Sequence, residues 1–371
     1  MLDAFTFLRP ELAASFLDRL TGPLGHGKPL LLYGPRRIGK TTFLRNDLLP
    51  ALVNHGLQPL YINLWSNRTL SPVDLLERAI DEAVAPGWFR KALSKIRKVG
   101  AAGFQAELAI DHEDVEGTVA ALKELVDHVG KPVALVIDEA QQTLATPEGN
   151  AFMYALKTAR EELNQGTRAI GTGPRLLIVM TGSSRDKLSR LAVPKGSPFF
   201  GAAIPEEFPP LPDAFGIQYA EYVNRRVADR LQLDPHDVAQ AFDRLGRKAE
   251  LLFRLIALAA DRMTSDLKPL VAQMLTELAR QGDAEHRETL MGLTDLQIAV
   301  LRRIGERKPV FSQEALQVYA AALGEKVSTS DAQNAATQLR ALGLVWNAAR
   351  GHYEIEDQGL ELWLVAHPEL K

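Results

Sequence analysis

Short apolar runs alternate with amphipathic stretches along the first half of the chain. The apolar runs have the length of buried strands and cover residues 28–33, 60–65, 133–137 and 176–180. Helical periodicity surrounds and separates them, over residues 10–20, 72–85, 114–129 and 149–165. Because these strands are apolar on both faces and alternate with helices, the pattern predicts an α/β fold in which helices sandwich a parallel sheet.

A proline-rich segment marks a change of pattern. Residues 205–212 contain four prolines, which predict a linker. The periodicity after this segment is helical, over residues 213–230, 234–245, 249–263 and 267–282. We therefore predict a separate, all-α region at this point of the chain.

The pattern changes once more near residue 294. Three predicted helices and a pair of strands follow, at residues 294–306, 312–323, 330–342, 344–346 and 352–355. Three helices followed by a β-hairpin are the layout of a winged helix-turn-helix. The patterns together predict a sheet domain over residues 1–210, a helical lid over 211–290 and a winged-helix domain over 291–371.

Composition narrows the classes of protein to be considered. The 371 residues are 46% hydrophobic and 24% charged, which is typical of globular proteins. The absence of cysteine excludes disulfides, thiolate metal sites and cysteine nucleophiles. No apolar run approaches the roughly 20 residues of a membrane span, and the first residues lack the basic region of a signal peptide. We therefore expect a cytoplasmic protein with no membrane partner.

A phosphate-binding pattern follows the first predicted strand. The residues Gly34-Pro35-Arg36-Arg37-Ile38-Gly39-Lys40-Thr41 match G-x-x-x-x-G-K-[ST], and Thr42 continues into the predicted helix. Glycines let backbone N–H groups turn towards phosphate oxygens, and the helix adds its positive N-terminal end. Lys40 supplies a charge to the β- and γ-phosphates, and the hydroxyl of Thr41 is a ligand for Mg²⁺. The segment therefore predicts a site for a nucleoside triphosphate.

An acidic pair ends the third predicted strand. We expect Asp138 to hold Mg²⁺ through water, and Glu139 to orient and polarise the attacking water as a general base. A glutamate directly after the magnesium aspartate favours ATP hydrolysis over phosphoryl transfer to a small molecule. Without the phosphate-binding pattern, the pair is equally well explained as the end of a buried strand with two solvated acids.

The fourth predicted strand ends in hydroxyl-bearing residues, Thr181-Gly182-Ser183-Ser184. The hydroxyl of Thr181 or of Ser183 is a candidate contact for the γ-phosphate or for the attacking water. Capping of the strand end is the alternative interpretation of both residues.

These motifs together resemble those of the prokaryotic ATPases of the AAA-related, STAND-like type. The resemblance rests on the phosphate-binding pattern, Asp138-Glu139-Ala140-Gln141, Thr181-Gly182-Ser183-Ser184 and Ser197-Pro198-Phe199-Phe200-Gly201. It extends over nearly the whole chain and implies a P-loop NTPase fold of the ASCE/AAA-like class. It also implies ATP as the nucleotide, a helical lid over that nucleotide, a C-terminal winged helix and ATP-dependent switching.

Two positions depart from the pattern of this family. Members often carry an arginine just after Phe-Phe-Gly, where this chain has Ala202, and this argues against a ring-forming arginine finger there. Arg185 and Arg190 are the remaining candidates, with ordinary surface arginines as the alternative. Relatives also tend to have Gly-x-Pro at the lid, where this chain has Gly-Arg-Lys-Ala. Arg247 of that segment is a candidate sensor of the γ-phosphate.

Two segments are candidates for contact with nucleic acid. One is a stretch without acidic residues that holds Arg90, Lys91, Lys95, Arg97 and Lys98, for which a solvated helix face is the alternative. The other is the third helix of the predicted winged helix, whose polar side chains suit base edges: Gln333, Asn334, Thr337, Gln338 and Arg340. Residues 294–371, however, hold eight basic and ten acidic residues, which argues against tight DNA binding.

The sequence therefore predicts a Mg²⁺-dependent, ATP-hydrolysing switch whose lid and winged helix change arrangement with the nucleotide. One alternative is an ATP-licensed, DNA-binding regulator of transcription or of a mobile element. Another is a signalling or phage-defence ATPase that forms homo-oligomers with nucleotide or binds a protein partner. A small-molecule kinase fits less well because of Glu139 and the winged helix.

Overall fold

The protein is described by a computed structural model over residues 5–22, 27–34, 38–66, 69–88, 110–165, 173–203, 205–349 and 352–367. The chain divides into two compact units, Met1–Leu211 and Pro212–Lys371.

Parallel strands form the centre of the first unit. Among the described residues they are β1 (Leu30–Tyr33), β2 (Gln58–Asn63), β3 (Val133–Asp138), β4 (Leu176–Gly182) and β5 (Pro205–Glu207), in the order β2-β3-β4-β1-β5. β4 therefore lies between β1 and β3. The register places Tyr33 opposite Gly182 and Asn63 opposite Asp138. The carboxyl ends of these strands consequently lie side by side, where open parallel sheets bind their ligands.

Helices pack against this sheet. They are α1 (Pro10–Thr21), α2 (Lys40–Phe43), α3 (Leu49–Asn54), α4 (Pro72–Ala83), α5 (Ile110–Val129), α6 (Pro147–Gln165) and α7 (Arg185–Ser189). A π-helical turn over Leu44–Leu48 joins α2 to α3, and a 3₁₀ turn over Ala140–Ala145 follows β3.

Alternate residues of the strands enter two hydrophobic cores. In β3, Leu135 and Ile137 join the core formed with α4, α5 and α6, whereas Ala134 and Val136 join the core formed with α1, α2 and α3. Successive side chains of a strand point to opposite faces, so the two cores lie on opposite sides of the sheet. Burial of one large aliphatic side chain contributes about 1.5–3 kcal/mol, and this favours apolar residues on both faces.

The second unit is mainly helical. Its described helices are α8 (Asp213–Asn224), α9 (Pro235–Arg244), α10 (Ala249–Asp261), α11 (Lys268–Met291), α12 (Asp295–Gly305), α13 (Gln313–Leu323), α14 (Thr329–Ala341) and α15 (Gln358–Ala366). An antiparallel hairpin of β6 (Val345–Ala349) and β7 (His352–Ile355) lies between α14 and α15 in sequence. Its buried residues pack with those of α12 to α15 in one hydrophobic core. None of the helices in the described ranges has the length and apolar character needed to cross a bilayer.

The structure confirms the predicted fold class and corrects some elements. Part of the predicted linker is wrong, because Pro205–Glu207 forms the edge strand β5, which pairs with β1. Proline is compatible with the first residue of an edge strand, where its missing N–H interrupts no ladder. α11 continues past Gly282 to Met291, and α15 is an additional helix. The division of the second unit into a lid and a winged helix stays a prediction.

Candidate active site

The phosphate-binding segment depends on two glycines. Gly34 follows β1, and a Cβ atom at this position would lie 2.5 Å from Cδ1 of Ile38. Gly39 has φ 90° and ψ 13°, a left-handed conformation that side chains other than glycine rarely adopt. Both glycines therefore fit the predicted role of a tight turn before α2. Pro35, Arg36 and Arg37, predicted to belong to the same turn, lie outside the described residues.

Lys40 and Thr41 open α2 directly after this turn. Lys40 is 5% exposed, and its Nζ donates a hydrogen bond to the carbonyl oxygen of Gly34 over 2.5 Å. Thr41 is exposed, and its hydroxyl donates to Oδ2 of Asp138 over 2.6 Å. Thr42 is also exposed. The structure thus brings the predicted magnesium ligands Thr41 and Asp138 together, at the start of the helix that Lys40 opens.

Asp138 ends β3 and is completely buried. Besides the Thr41 hydroxyl, four donors reach its carboxylate. They are the Thr181 hydroxyl at 2.5 Å, the Tyr61 hydroxyl at 3.1 Å, the Asn63 amide at 3.3 Å and the Glu139 backbone N–H at 3.1 Å. Burial of a carboxylate is costly unless hydrogen bonds compensate it, and this ring of donors supplies that compensation.

Tyr61 and Asn63 are site residues that sequence reasoning missed. Burial, and then the neighbouring charge of Asp138, raise the pKa of Tyr61, so its hydroxyl keeps the proton that it donates. The available signal was positional: Asn63 is the last residue of β2, at the edge of the sheet where Asp138 ends β3. A polar residue at that edge is expected to face the same site.

Glu139 has an unusual backbone and a defined side-chain position. Its φ of 59° and ψ of 40° are left-handed, which is uncommon for a residue with a side chain. Its Oε2 accepts hydrogen bonds from Nε2 of Gln141 over 2.5 Å and from the Ser183 hydroxyl over 3.1 Å. The structure thus separates the two hydroxyls at the end of β4, because Thr181 contacts Asp138 and Ser183 contacts Glu139. Gln141 was not identified from the sequence as a site residue.

The donor set next to Lys40 fits a magnesium ion. Mg²⁺ binds hard oxygen ligands, usually one or two from the protein, together with water and substrate phosphates. The Thr41 hydroxyl and the Asp138 carboxylate are such oxygens, and they lie within hydrogen-bonding distance of each other. The same pair was predicted from the sequence as the magnesium ligands.

The other predicted site residues lie elsewhere in the two units. The guanidinium of Arg185 stacks over the ring of Tyr33 at 4.9 Å from its centre. Arg190 is half exposed and lies 3.9 Å from the carboxylate of Asp186. The predicted basic segment, Arg90, Lys91, Lys95, Arg97 and Lys98, lies outside the described residues.

Arg247 belongs to the second unit. It has a left-handed backbone with φ 57°. One guanidinium nitrogen lies 2.6 Å from Asp213 and 2.9 Å from Asp243. Within its own unit, this candidate sensor is therefore engaged by two carboxylates.

Comparisons with known proteins bear on the fold. Residues 20–183, somewhat less than half of the chain, match a family described as an ATPase domain predominantly from Archaea. The chain is similar to the ORC2 protein of Aeropyrum pernix in ADPNP–ADP complexes, with 14% identity, 99% of this chain and 98% of that chain covered, and a TM-score of 0.51. No curated protein sequence matches it.

Two further solved structures match nearly all of the chain with lower TM-scores. The ORC1 protein of Aeropyrum pernix in complex with DNA has 19% identity, covers 98% of this chain and 94% of that chain, and gives a TM-score of 0.42. Cdc6p of Pyrobaculum aerophilum has 15% identity, 99% and 95% coverage, and a TM-score of 0.41. The similarity to ORC2 shows the fold: a parallel P-loop NTPase sheet with flanking helices, followed by a helical region.

Proposed function

We propose that this protein is a Mg²⁺-dependent ATPase that works as a nucleotide-controlled switch. The observation that carries this proposal is the grouping of Lys40, Thr41, Asp138 and Glu139 at the carboxyl ends of β1 and β3. The match of residues 20–183 to an archaeal ATPase domain supports a P-loop ATPase. The nucleotide complexes named for the ORC2 protein support ATP as the ligand.

Binding of the triphosphate is assigned to the turn and to α2. Backbone N–H groups of residues 34–42 and the amino end of the helix would face the phosphate oxygens. The Nζ of Lys40 would exchange its hydrogen bond with the Gly34 carbonyl for the β- and γ-phosphates. Thr41 and Asp138 would hold Mg²⁺, which when bound neutralises developing charge on the phosphates.

Hydrolysis is assigned to Glu139. A water oxygen attacks the γ-phosphorus, the bond from that phosphorus to the β–γ bridging oxygen breaks, and ADP leaves with the bonding electrons. The carboxylate of Glu139 accepts the proton of the water. The partly exposed position of this side chain at the end of β3 supports that role.

The switch itself is proposed for the predicted lid, residues 211–290, and for the predicted winged helix, residues 291–371. Only contacts that differ between the ATP and ADP states can drive such a change. Arg247 is the proposed sensor of the γ-phosphate. Its two ion pairs, with Asp213 and Asp243, would then be exchanged for the phosphate in the ATP state.

Phosphate release from the purified protein with Mg-ATP tests the enzymatic proposal. Turnover by the wild type, no nucleotide binding by Lys40→Ala and at least tenfold slower turnover by Glu139→Gln are expected. ATP binding by Glu139→Gln should remain, because the residue acts on water rather than on the phosphates. A near-normal rate in Glu139→Gln would remove this residue from the role of base.

A second candidate function is an ATP-licensed DNA-binding regulator. It is favoured by α14, on which Gln333, Asn334, Thr337 and Gln338 are all exposed. Such side chains can form hydrogen bonds with base edges. A gel shift with duplex DNA at physiological salt, with and without ATP, tests this function. Light scattering with a non-hydrolysable ATP analogue tests the third candidate, an oligomerising signalling ATPase.

A further inference from the structure

We propose that Gln141 is a positioning residue which, together with Ser183, fixes the carboxylate of Glu139 for its reaction with water. The inference rests on the proposed ATPase function and assigns a further residue to the same site. Gln141 is 5% exposed and lies in the 3₁₀ turn that follows β3. It touches the base rather than the reacting atoms.

Three side chains form a closed set of hydrogen bonds. Nε2 of Gln141 lies 2.5 Å from Oε2 of Glu139 and 3.1 Å from the hydroxyl of Ser183. The same hydroxyl lies 3.1 Å from the same carboxylate oxygen. Both donors therefore converge on Oε2, while Oε1 of Glu139 is left to act on water.

The orientation of the Gln141 amide follows from this contact. A carboxylate only accepts hydrogen bonds, so the amide nitrogen has to face it. The amide oxygen is then directed the other way, where it is buried and accepts no hydrogen bond from the residues that the structure describes. The Gln141 amide therefore has one orientation in this site, with its donor on the carboxylate of Glu139.

The end of β4 is shaped around the same amide. A Cβ atom on Gly182 would lie 2.5 Å from Oε1 of Gln141. The backbone of Gly182 is extended, a conformation that any residue can adopt. The reason for glycine at this position is therefore the space that the Gln141 amide occupies. Glycine between Thr181 and Ser183 therefore makes room for Gln141.

The consequence for the reaction is orientation. A glutamate side chain has several rotatable bonds. The left-handed backbone of Glu139 fixes the direction in which the side chain begins, but it does not fix the position of the carboxylate. Two donors on one oxygen hold the group in one position. Misplacement of a reacting group by about 1 Å costs as much as a hundredfold in rate, so this restraint affects turnover rather than nucleotide binding.

The decisive variant is Gln141→Met, which keeps the volume of the side chain and removes its donor. A fall in kcat of about tenfold with an unchanged Kd for ATP is expected, which corresponds to about 1.4 kcal/mol. Gln142→Met makes the same chemical change one residue further along and should leave both quantities unchanged. An unchanged or increased kcat in Gln141→Met would overturn the inference.

A double-mutant cycle separates positioning from a general effect on folding. In the Glu139→Gln background, Gln141→Met should change the single-turnover rate by less than about twofold, because the base that it positions is already removed. If the double variant lost the product of the two fold-decreases in rate, Gln141 would act independently of Glu139, and this would overturn the inference. Gly182→Ala, which pushes the amide away, should reproduce the kcat defect of Gln141→Met.

A structural readout keeps the inference separate from the proposed function. A crystal structure of Gln141→Met should show the Glu139 carboxylate displaced by about 1 Å or more. An unmoved carboxylate would overturn the inference, whether or not the wild type hydrolyses ATP. Conversely, failure of the wild type to release phosphate would reject the ATPase function, while the carboxylate position would still decide the role of Gln141.

Discussion

A completely buried carboxylate needs hydrogen-bond donors to replace the water that it loses, and Asp138 has five of them in the described part of the chain. Its donors come from the ends of β2 and β4, from α2 and from its own neighbour. The stability of the site and the Mg²⁺ binding proposed for it therefore depend on the same side chains. At this scale, substitution of a single donor is the informative experiment.

Thr181→Val should destabilise the protein more than Thr181→Ser. Valine has nearly the same shape but leaves Asp138 without the donor that lies 2.5 Å away. Loss of one partner of a buried, charged acceptor costs about 1–3 kcal/mol in the free energy of unfolding. Urea unfolding of both variants measures it. Equal stability of the two would show that the hydroxyl contributes nothing to folding.

Tyr319 in the second unit gives a prediction of pH dependence. Its hydroxyl is buried and donates to the carbonyl oxygen of Val310 over 3.0 Å. Burial raises the pKa of Tyr319 to about 12. In the unfolded chain the value is about 10, so the folded state holds the proton more tightly in alkaline solution.

The stability of the folded state should therefore decrease as the pH rises from about 10 to about 12. Tyr319→Phe removes the titrating group and should weaken this dependence, while loss of the hydrogen bond lowers stability at pH 7 by about 1 kcal/mol. Denaturant unfolding at pH 7 to 11 provides the measurement. An equally steep alkaline decrease in Tyr319→Phe would contradict the assignment.

At the scale of the residue, the sequence predicts those positions whose spacing carries chemistry. The phosphate-binding pattern predicted Lys40 and Thr41 as site residues, and the end of a buried strand predicted Asp138 and Glu139. The structure brings Thr41 into contact with Asp138. Gln141 lies only two residues from Glu139 and belongs to a run on which the family resemblance rests, yet nothing in that run signals a buried contact with Glu139. Its function depends on Ser183, which only the adjacency of β3 and β4 brings near.

At the scale of the element, predictions succeeded where the hydrophobic pattern is long or the end is chemically marked. β3 and β4 are apolar on both faces and were assigned with nearly correct bounds. β5 has the sequence Pro-Glu-Glu, without an apolar pattern, and exists because β1 offers it a partner. α11 passes through Gly282, since a glycine in an exposed helix costs only about 1 kcal/mol and tertiary contacts override it.

The start of α14 carries a capping box, whose contribution to stability can be measured. Ser328 caps the helix by accepting from the backbone N–H of Asp331, and the carboxylate of Asp331 accepts from both the backbone and the hydroxyl of Ser328. Ser328→Ala should lower the free energy of unfolding by about 1 kcal/mol, as measured by thermal unfolding. An unchanged stability would contradict a contribution of this capping box.

The hydrogen bonds from Ser328 lower the pKa of Asp331. The stabilisation from this carboxylate is therefore present above its ordinary pKa and is lost as the pH falls through the lowered value. In Ser328→Ala the acid-induced loss of stability should be weaker than in the wild type.

At the scale of the whole molecule, the two units have separate hydrophobic cores. The cores that flank the sheet draw on residues before Leu211, whereas a third core joins α12 to α15 with the hairpin. A unit with its own core can fold independently of its neighbour. The second unit is therefore a natural fragment for binding studies.

Residues 212–371 expressed alone should fold into a helical protein with a cooperative urea transition. Leu339 is completely buried in its core, so Leu339→Asp should abolish that transition. Far-UV circular dichroism during urea titration makes the comparison. A gradual, non-cooperative loss of helix in the wild-type fragment would contradict independent folding.

The position of β4 between β1 and β3 determines where the chain can tolerate an insertion. Thr181 and Ser183 serve the two acids because they alternate with Gly182, which leaves the space for an amide. Insertion of one residue in β4 would shift all three and move its apolar side chains to the wrong face. The exposed stretch from Val193 to Gly196 should accept an insertion far more readily. The length of the chain is therefore constrained most strictly in β4, where the polar residues of the site and the apolar residues of the core depend on one register.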